Sequence, residues 1–269
     1  NAMTPEGTVN RAALPAIFNP EDMNALEQAL YIKDQNPGSE VLLLTMGPFR
    51  AADIIREGLF RGADGGVLLT DRKFAGADTL ATSYALSQAI KKINPDIILA
   101  GRQAIDGDTA QVGPQVAEKL DLPQVTYAEE IQEISDNKVV IKRRLERGVE
   151  VVSCTLPCLV TVHATAAPCR PRHAKQVMKY KYARTVTEDT AEGANYLLSL
   201  ADYPYLKITE WGTADVGGED SSYGMAGSPT KVKKVENIVF QAKEAKKLTA
   251  SEEDIDSLIS ELLANHTIG

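Results

Sequence analysis

Short apolar runs and longer segments of helical spacing alternate through the first half of the chain. The apolar runs predict buried strands, because they are compact, aliphatic and bounded by turn residues. The segments between them place apolar residues three or four positions apart, which is typical of amphipathic helices. Strands are predicted at residues 40–45, 67–70 and 95–100, and helices at residues 20–33, 51–61, 79–93 and 111–120. This alternation favours a parallel sheet with helices on both faces.

The start of the first predicted helix is marked by a capping pattern. Asn19 is predicted as its N-cap, and Pro20 suits the first helical position. Glu21 and Asp22 follow in the first turn, where the helix dipole favours negative charge.

The pattern changes after Pro123, where apolar and polar residues alternate. An antiparallel meander is predicted at residues 124–133, 138–145 and 149–156, and a further strand at residues 159–163. Residues 168–181 form a basic segment interrupted by prolines, which predicts a loop, and residues 183–227 show no strong period.

The last predicted element is an amphipathic helix at residues 252–265, with Ser251 as its N-cap. Its apolar residues lie on one stripe that needs burial, either on this chain or on a partner. That stripe consists of Ile255, Leu258, Ile259, Leu262 and Leu263. We therefore expect an α/β domain over residues 1–185 and an extension with a C-terminal arm over residues 186–269.

Composition and charge narrow the function classes. The 269 residues carry a net charge of −8, which argues against non-specific nucleic-acid binding. No apolar run is long enough for membrane insertion, and no leader peptide is predicted. The three cysteines form neither a zinc-type pair nor an even disulfide set, which favours a cytoplasmic location. No acid–base pair, nucleophile triad or metal cluster is predicted, so no catalytic and no metal-ligating residue is assigned.

The candidate chemistry lies in a glycine-containing segment at residues 101–114, called the glycine loop below. It follows a predicted strand and precedes a predicted helix, and parallel α/β sheets bind ligands at the carboxyl ends of strands. Its glycines allow backbone amides to approach a phosphate, and Thr109 and Gln111 can donate further hydrogen bonds. Asp106 and Asp108 suit a phosphate poorly; they would cap the helix or accept from ribose hydroxyls or nearby amides. Neither standard nucleotide-binding motif is present, so an ordinary strand–helix turn is the alternative.

The same segment carries a family resemblance. Gly-Arg-Gln-Ala-Ile-Asp-Gly-Asp-Thr-Ala-Gln-Val-Gly-Pro-Gln at residues 101–115 closely resembles the signature of the β (small) subunit of electron-transfer flavoproteins. Asn19-Pro20, Met46-Gly47-Pro48 and Pro171-Arg172 match in order and spacing over most of residues 8–185. The resemblance implies a Rossmann-like, adenine-nucleotide α-hydrolase-like domain whose C-terminal arm wraps a partner.

The resemblance also implies a cofactor and a heterodimer. The partner would be a larger α subunit that carries a redox-active FAD. In the common branch the β subunit holds a structural AMP; in the electron-bifurcating branch it holds a second FAD that NADH reduces. The sequence of residues 106–113 resembles that of the bifurcating branch. So do Asp78, Thr79 and Thr82 at a predicted helix start. FAD is therefore expected, with AMP as the alternative and NADH as a possible electron donor, although an ordinary capped helix also explains residues 78–83.

Two sets of site residues follow from the resemblance. The cofactor-binding set is Asn19, Pro20, Met46, Gly47, Asp78, Thr79, Thr82, Gly101, Gln103, Asp106, Gly107, Asp108, Thr109, Ala110, Gln111, Val112 and Gly113. The set expected to dock acyl-CoA-type dehydrogenases or other redox partners is Arg170, Arg172, Lys175 and Met178.

One departure from the family and two other functions stay open. The family's β subunit begins with a strand and a Lys-Gln-Val-Pro-like turn, which we expect to be absent here. Part of the adenine pocket would then be unlined and nucleotide binding would be weak. The alternatives are a simple carrier subunit with structural AMP and a non-redox, universal-stress-like protein that binds ATP or AMP. Whether the chain acts as an enzyme, oxidising NADH within a bifurcating complex, is left open.

Overall fold

The computed structural model describes residues 16–135, 137–190, 199–230 and 246–268. The chain divides into two compact units, Asn1–Val232 and Lys233–Gly269. The helices are α1 (Pro20–Gln35), α2 (Ala52–Leu59), α3 (Thr79–Ile93), α4 (Val112–Leu120), α5 (Ala174–Tyr180), α6 (Val186–Asp189), α7 (Thr213–Val216) and α8 (Glu252–Ala264). The strands are β1 (Leu42–Met46), β2 (Gly65–Leu69), β3 (Ile97–Gly101), β4 (Gln124–Ser135), β5 (Lys138–Leu145), β6 (Gly148–Thr155), β7 (Cys158–Val162) and β8 (Thr209–Trp211).

The first unit confirms an α/β fold with parallel strands and an added antiparallel meander. Strands β1, β2 and β8 form one parallel sheet, in the order β1-β2-β8. The second sheet has the order β3-β7-β4-β5-β6, with β3, β7 and β4 parallel and β5 and β6 antiparallel. The parallel strands thus belong to two sheets instead of the single sheet that the sequence predicted. Among the described residues, β1 and β3 each pair along one edge.

Helices pack on both faces of the strands, and successive strand residues are buried against opposite helices. On β2, Leu68 packs with α1 and α2, whereas Val67 and Leu69 pack with α3. On β7, Val160 packs with α1, whereas Leu159 packs with α4. Because successive strand residues point to opposite faces, each of these strands is covered on both sides.

The structure corrects one expectation about the second half of this unit and adds a strand that was not predicted. The basic segment at residues 168–181 contains helix α5, where the sequence predicted only a loop. Residues 183–227 contain β8, which extends the β1–β2 sheet although it is only three residues long. So short a strand shows no measurable period, and its place is fixed by pairing with β2 and by Thr213, whose amide and hydroxyl both donate to Asp71. The domain boundary at residue 185 stays a prediction.

The second unit contains the predicted C-terminal helix, α8. The hydroxyl of Ser251 accepts a hydrogen bond from the amide of Asp254, which confirms the N-cap. Along its stripe, Ile255, Leu258 and Leu263 are 39–50% exposed. None of the described helices combines the length and the apolar character needed to cross a bilayer.

Burial lowers the expected reactivity of two of the three cysteines. Burial raises the pKa of the Cys158 thiol to about 12 and that of the Cys169 thiol to about 11. Since the thiolate is the reactive form, we expect Ellman's reagent at pH 8 to modify both slowly in the native protein and rapidly after unfolding. Complete native labelling of Cys158 within minutes would contradict this burial.

Candidate functional site

The glycine loop begins at the carboxyl end of β3, as its sequence predicted. The amide of Arg102 donates to the carbonyl of Val162 at 2.9 Å, so the loop leaves β3 beside the end of β7. Residues 104–109 are exposed. The loop therefore stands open to solvent at the edge where parallel α/β sheets bind ligands.

Asn19 fixes the first half of the loop from the start of α1. Its side-chain amide donates to the carbonyl of Gln103 and to a carboxylate oxygen of Asp22, both at 2.9 Å. Its side-chain oxygen accepts from the amide of Ile105 at 3.0 Å. Asn19 occupies the predicted N-cap position, but its side chain makes no capping hydrogen bond to α1. The predicted N-cap position is confirmed, but the side chain of Asn19 is engaged by a loop distant in sequence.

The next two carboxylates hold the same stretch of loop. Asp22 accepts from the amide of Gly101 at 2.6 Å. Glu21 accepts from the amide of Gln103 at 3.0 Å and from the guanidinium of Arg102, also at 3.0 Å. Burial raises the pKa of Asp22 and the charge of Glu21 adds to it, although hydrogen bonds from Gly101 and Asn19 oppose the rise. These acids therefore bind loop amides in addition to lying at the positive end of the helix dipole.

Gly101 is required by close packing against α1. A Cβ at Gly101 would lie 2.7 Å from the backbone nitrogen of Asp22 and 2.8 Å from the backbone carbon of Glu21. At Gly107, by contrast, a Cβ would meet nothing within 4 Å. The two glycines that the sequence placed in one set thus differ in role, since only the first is needed for contact within the protein.

The second half of the loop turns sharply before α4. Asp108 and Ala110 have φ angles of 47° and 53°, which non-glycine residues adopt at some cost. The side-chain amide of Gln103 donates to a carboxylate oxygen of Asp108 at 2.9 Å. The N-cap residue of α4 is Gln111, whose side chain makes no capping hydrogen bond. The first-turn amides of a helix lack intrahelical acceptors, so those of Val112 and Gly113 suit an anionic group.

The start of α3 lies beside this second half. The hydroxyl of Thr79 donates to the side-chain oxygen of Gln111 at 2.9 Å, and Gln115 donates to Thr79 at 3.4 Å. Two segments that the sequence singled out separately, residues 78–83 and the glycine loop, are thereby brought together.

Asp78 caps α3 as predicted and also binds a later segment. One carboxylate oxygen accepts from the amides of Leu80 and Ala81, both at 3.0 Å, and the other accepts from the amide of Thr230 at 3.1 Å. Its backbone amide donates to the hydroxyl of Ser228 at 2.8 Å. No periodic pattern predicted this contact, because Ser228 and Thr230 lie outside the predicted helices and strands.

The Asp78→Ala variant is expected to lower the free energy of unfolding by about 1–2 kcal/mol, since a helix cap and a loop contact are lost. Burial raises the pKa of Asp78, but the amides of Ala81, Thr230 and Leu80 outweigh it, so the pKa lies below its ordinary value. A lowered carboxyl pKa stabilises the fold above the ordinary value, and this is lost as pH falls through the folded-state pKa. Urea unfolding of both proteins at pH 7 and pH 3 should show the difference shrinking in acid; a constant difference would contradict it.

Several predicted residues lie apart from these contacts. The amide of Gly47 donates to the carbonyl of Leu69 at 3.0 Å, and Met46 packs with the core on the α3 side of β2. The amide of Thr82 donates within α3 to the carbonyl of Asp78. Pro20 is the first residue of α1. The described contacts do not join Met46, Gly47 or Thr82 to the glycine loop, and their role in binding stays a prediction.

Of the predicted docking residues, the two arginines form ion pairs within the chain, and Lys175 and Met178 are exposed. Arg170 donates from its backbone and its guanidinium to Glu27 at 2.8–3.1 Å, and its guanidinium lies 2.9 Å from Asp34. Arg172 is paired with Glu57. Lys175 and Met178 are exposed on α5, and Met178 is 66% exposed.

The sequence pattern did not predict that Glu21, Asp22 and Arg102 join the start of α1 to the glycine loop. Arg102 also lies 5.7 Å from the ring of Tyr127, which stacks on His163 at 5.8 Å. The only local signal was the acidic Glu21-Asp22 pair, which a helix start explains without any contact to the loop. Among the described residues, no group of His, Cys, Asp and Glu side chains could hold a metal ion.

An α/β fold with an open loop at the carboxyl ends of its parallel strands is a ligand-binding architecture. Comparison with known proteins is more specific. Residues 6–191 match the electron transfer flavoprotein domain, and the chain belongs to this family.

Similar proteins agree with this assignment. The chain is 44% identical to the caffeyl-CoA reductase-Etf complex subunit CarD of Acetobacterium woodii, over 84% of this chain and 78% of that one. It is 43% identical to the electron transfer flavoprotein subunit beta of Megasphaera elsdenii, over 85% and 78%. It is 40% identical to the acryloyl-CoA reductase electron transfer subunit gamma of Anaerotignum propionicum, over 99% and 94%. The resemblance to β subunits of the bifurcating-type branch is confirmed.

Proposed function

We propose that this chain is the β subunit of a heterodimeric electron-transfer flavoprotein and binds FAD at the second half of the glycine loop. The observation that carries the proposal is the hydrogen bond from Thr79 to Gln111, 2.9 Å long. This bond joins the start of α3 to the residue that precedes α4. Both segments resemble the sequence motifs with which the bifurcating branch binds FAD.

The residues present fit an adenine dinucleotide. The first-turn amides of α4 and the hydroxyl of Thr109 can donate to phosphate oxygens. The carboxylate of Asp108 can accept from a ribose hydroxyl, and the turn at Asp108 and Ala110 shapes the approach to α4. When bound, FAD supplies hydride and single-electron chemistry. The chain supplies binding and orientation, which is consistent with the absence of any predicted acid–base pair.

The partners that we propose follow from the family and from exposed surfaces. The exposed apolar stripe of α8 would dock on the α subunit. The FAD of the α subunit would receive single electrons from the FAD of this subunit. Lys175 and Met178, exposed on α5, and Arg172 would contact a dehydrogenase or reductase, and NADH would serve as the hydride donor. Two of the similar proteins are named as subunits of caffeyl-CoA and acryloyl-CoA reductase systems, so acyl-CoA-type enzymes are the proposed class of partner.

Cofactor extraction from the co-expressed heterodimer tests this proposal. We expect about two FAD molecules per heterodimer, one on each subunit, since each subunit would bind its own redox cofactor. The measurement is denaturation followed by chromatographic quantification of FAD and AMP against protein concentration. NADH should bleach the β-bound flavin within the mixing time.

The other functions are distinguishable outcomes of the same experiment. One FAD together with one AMP would replace the proposal by a simple carrier with structural AMP. Tight ATP binding by the chain alone, unaffected by the α subunit, would favour a non-redox regulator.

A further inference from the structure

We propose that a groove beside α3 and α4 binds a small monocarboxylate with an apolar body, at a site separate from the glycine loop. The groove has a volume of about 380 Å³, which lies in the range of small-molecule sites. Its walls come from α3, from the end of α4 and from residues 221–229. The side chains used below are Leu80, Tyr84, Lys119, Ser221, Ser222 and Ala226.

Helix α3 presents different side chains to the groove and to the glycine loop. The hydroxyl of Thr79 donates to Gln111, whereas Leu80 and Tyr84 line the groove. Residues four positions apart share one side of a helix, and adjacent residues are rotated by about 100° about its axis. The groove and the proposed nucleotide site therefore use different sides of α3.

Lys119 gives the groove its positive charge. Its ammonium lies 5.8 Å from the centre of the Tyr84 ring, and no carboxylate of a described residue pairs with it. Asp220, which precedes Ser221 in the chain, is paired with Lys73 at 2.6 Å. An unpaired ammonium in a groove attracts an anion, and one cation favours a group with a single negative charge.

The other side chains suit a ligand with one charged end and an apolar body. Hydroxyl groups can donate to carboxylate oxygens, and the hydroxyls of Ser221 and Ser222 bind no acceptor among the described residues. Leu80 is 40% exposed, so an apolar body that covers it removes apolar surface from water. The ring of Tyr84 offers a further flat surface between this leucine and the ammonium of Lys119.

Titration of the full chain with benzoate tests the site, because benzoate combines a carboxylate with a flat apolar ring. We expect a dissociation constant of about 1 mM by calorimetry, which is ordinary for so small a ligand. Benzamide has the same shape without the charge and should bind about ten-fold more weakly. Saturating AMP should leave the affinity for benzoate unchanged.

The matched variants Lys119→Met and Lys91→Met locate the charge that binds benzoate. Lys91 is exposed near the end of α3 and does not line the groove. We expect Lys119→Met to weaken benzoate binding about ten-fold, the effect of about one charge-assisted hydrogen bond, and to leave benzamide binding unchanged. Lys91→Met removes the same charge and should change neither affinity.

Ala226→Trp tests the groove without changing any charge. Ala226 is exposed, so a larger side chain can occupy the groove without entering the core. This variant should abolish the binding of both benzoate and benzamide while the melting temperature stays that of the unmodified chain.

Three results would overturn the proposal. The first is no detectable benzoate binding, and the second is competition between benzoate and AMP, which would place benzoate at the nucleotide site. The third is equal weakening by Lys119→Met and Lys91→Met, since net charge alone would then explain the binding. Failure of the proposed function looks different: the heterodimer would bind neither AMP nor FAD, and the affinity of the groove for benzoate would be unaffected.

Discussion

Gly101→Ala is expected to lower the free energy of unfolding by about 3 kcal/mol and to abolish nucleotide retention, as overpacking against a rigid backbone does. The new methyl group would lie 2.7 Å and 2.8 Å from backbone atoms of Asp22 and Glu21, which cannot rotate away. Either β3 or the first turn of α1 must move, and the hydrogen bond between Gly101 and Asp22 would be strained or broken. Urea unfolding and titration with FAD or AMP measure the two effects.

Gly107→Ala is the matched control for this prediction. It lies in the same loop, but a Cβ there meets nothing within 4 Å. Its stability should stay within about 0.5 kcal/mol of the unmodified chain, as for ordinary surface substitutions. Equal effects of the two alanines would show that general loop stiffness, and not the contact with α1, explains the result.

Arg170→Ala is expected to lower the free energy of unfolding by about 1–2 kcal/mol, even in the absence of any partner. The substitution removes the guanidinium that binds Glu27 and Asp34, two acids of α1. It leaves the carboxylate of Glu27, whose side chain is only 16% exposed, with fewer hydrogen-bond donors. Urea unfolding of the isolated chain measures this loss.

Lys175→Ala separates folding from docking. Lys175 is exposed on α5, so its removal should leave stability unchanged. If this surface docks a redox partner, Lys175→Ala should slow electron transfer to that partner, with a larger effect at low ionic strength. A stable Arg170→Ala protein that nonetheless fails to dock would instead assign Arg170 to the docking surface.

The sequence predicted elements with strong periods and missed those without one. Helix α3 was predicted with its exact bounds, because Asp78 caps it and its apolar residues repeat at helical spacing. Helix α5 and strand β8 were missed, since each is short and lies in a segment rich in turn residues. The division of the parallel strands into two sheets was also invisible, because a strand sequence records burial and not its neighbours.

The site shows the same limit at the level of single residues. The family motif located the glycine loop and the start of α3, but it grouped Gly101 with Gly107 and Arg170 with Lys175. The members of each pair differ in what surrounds them: backbone beside Gly101, open space beside Gly107, two acids beside Arg170 and solvent beside Lys175.

By itself, the sequence determined the α/β class, most of the helices and strands, and the family to which the chain belongs. These follow from local periodicity and from a continuous motif, both of which are written along the chain. Only the tertiary structure decided that Asn19, Glu21 and Asp22 hold the glycine loop and that Thr79 meets Gln111. Those contacts join residues 32–86 positions apart, and a hydrogen bond over that separation leaves no local pattern to detect.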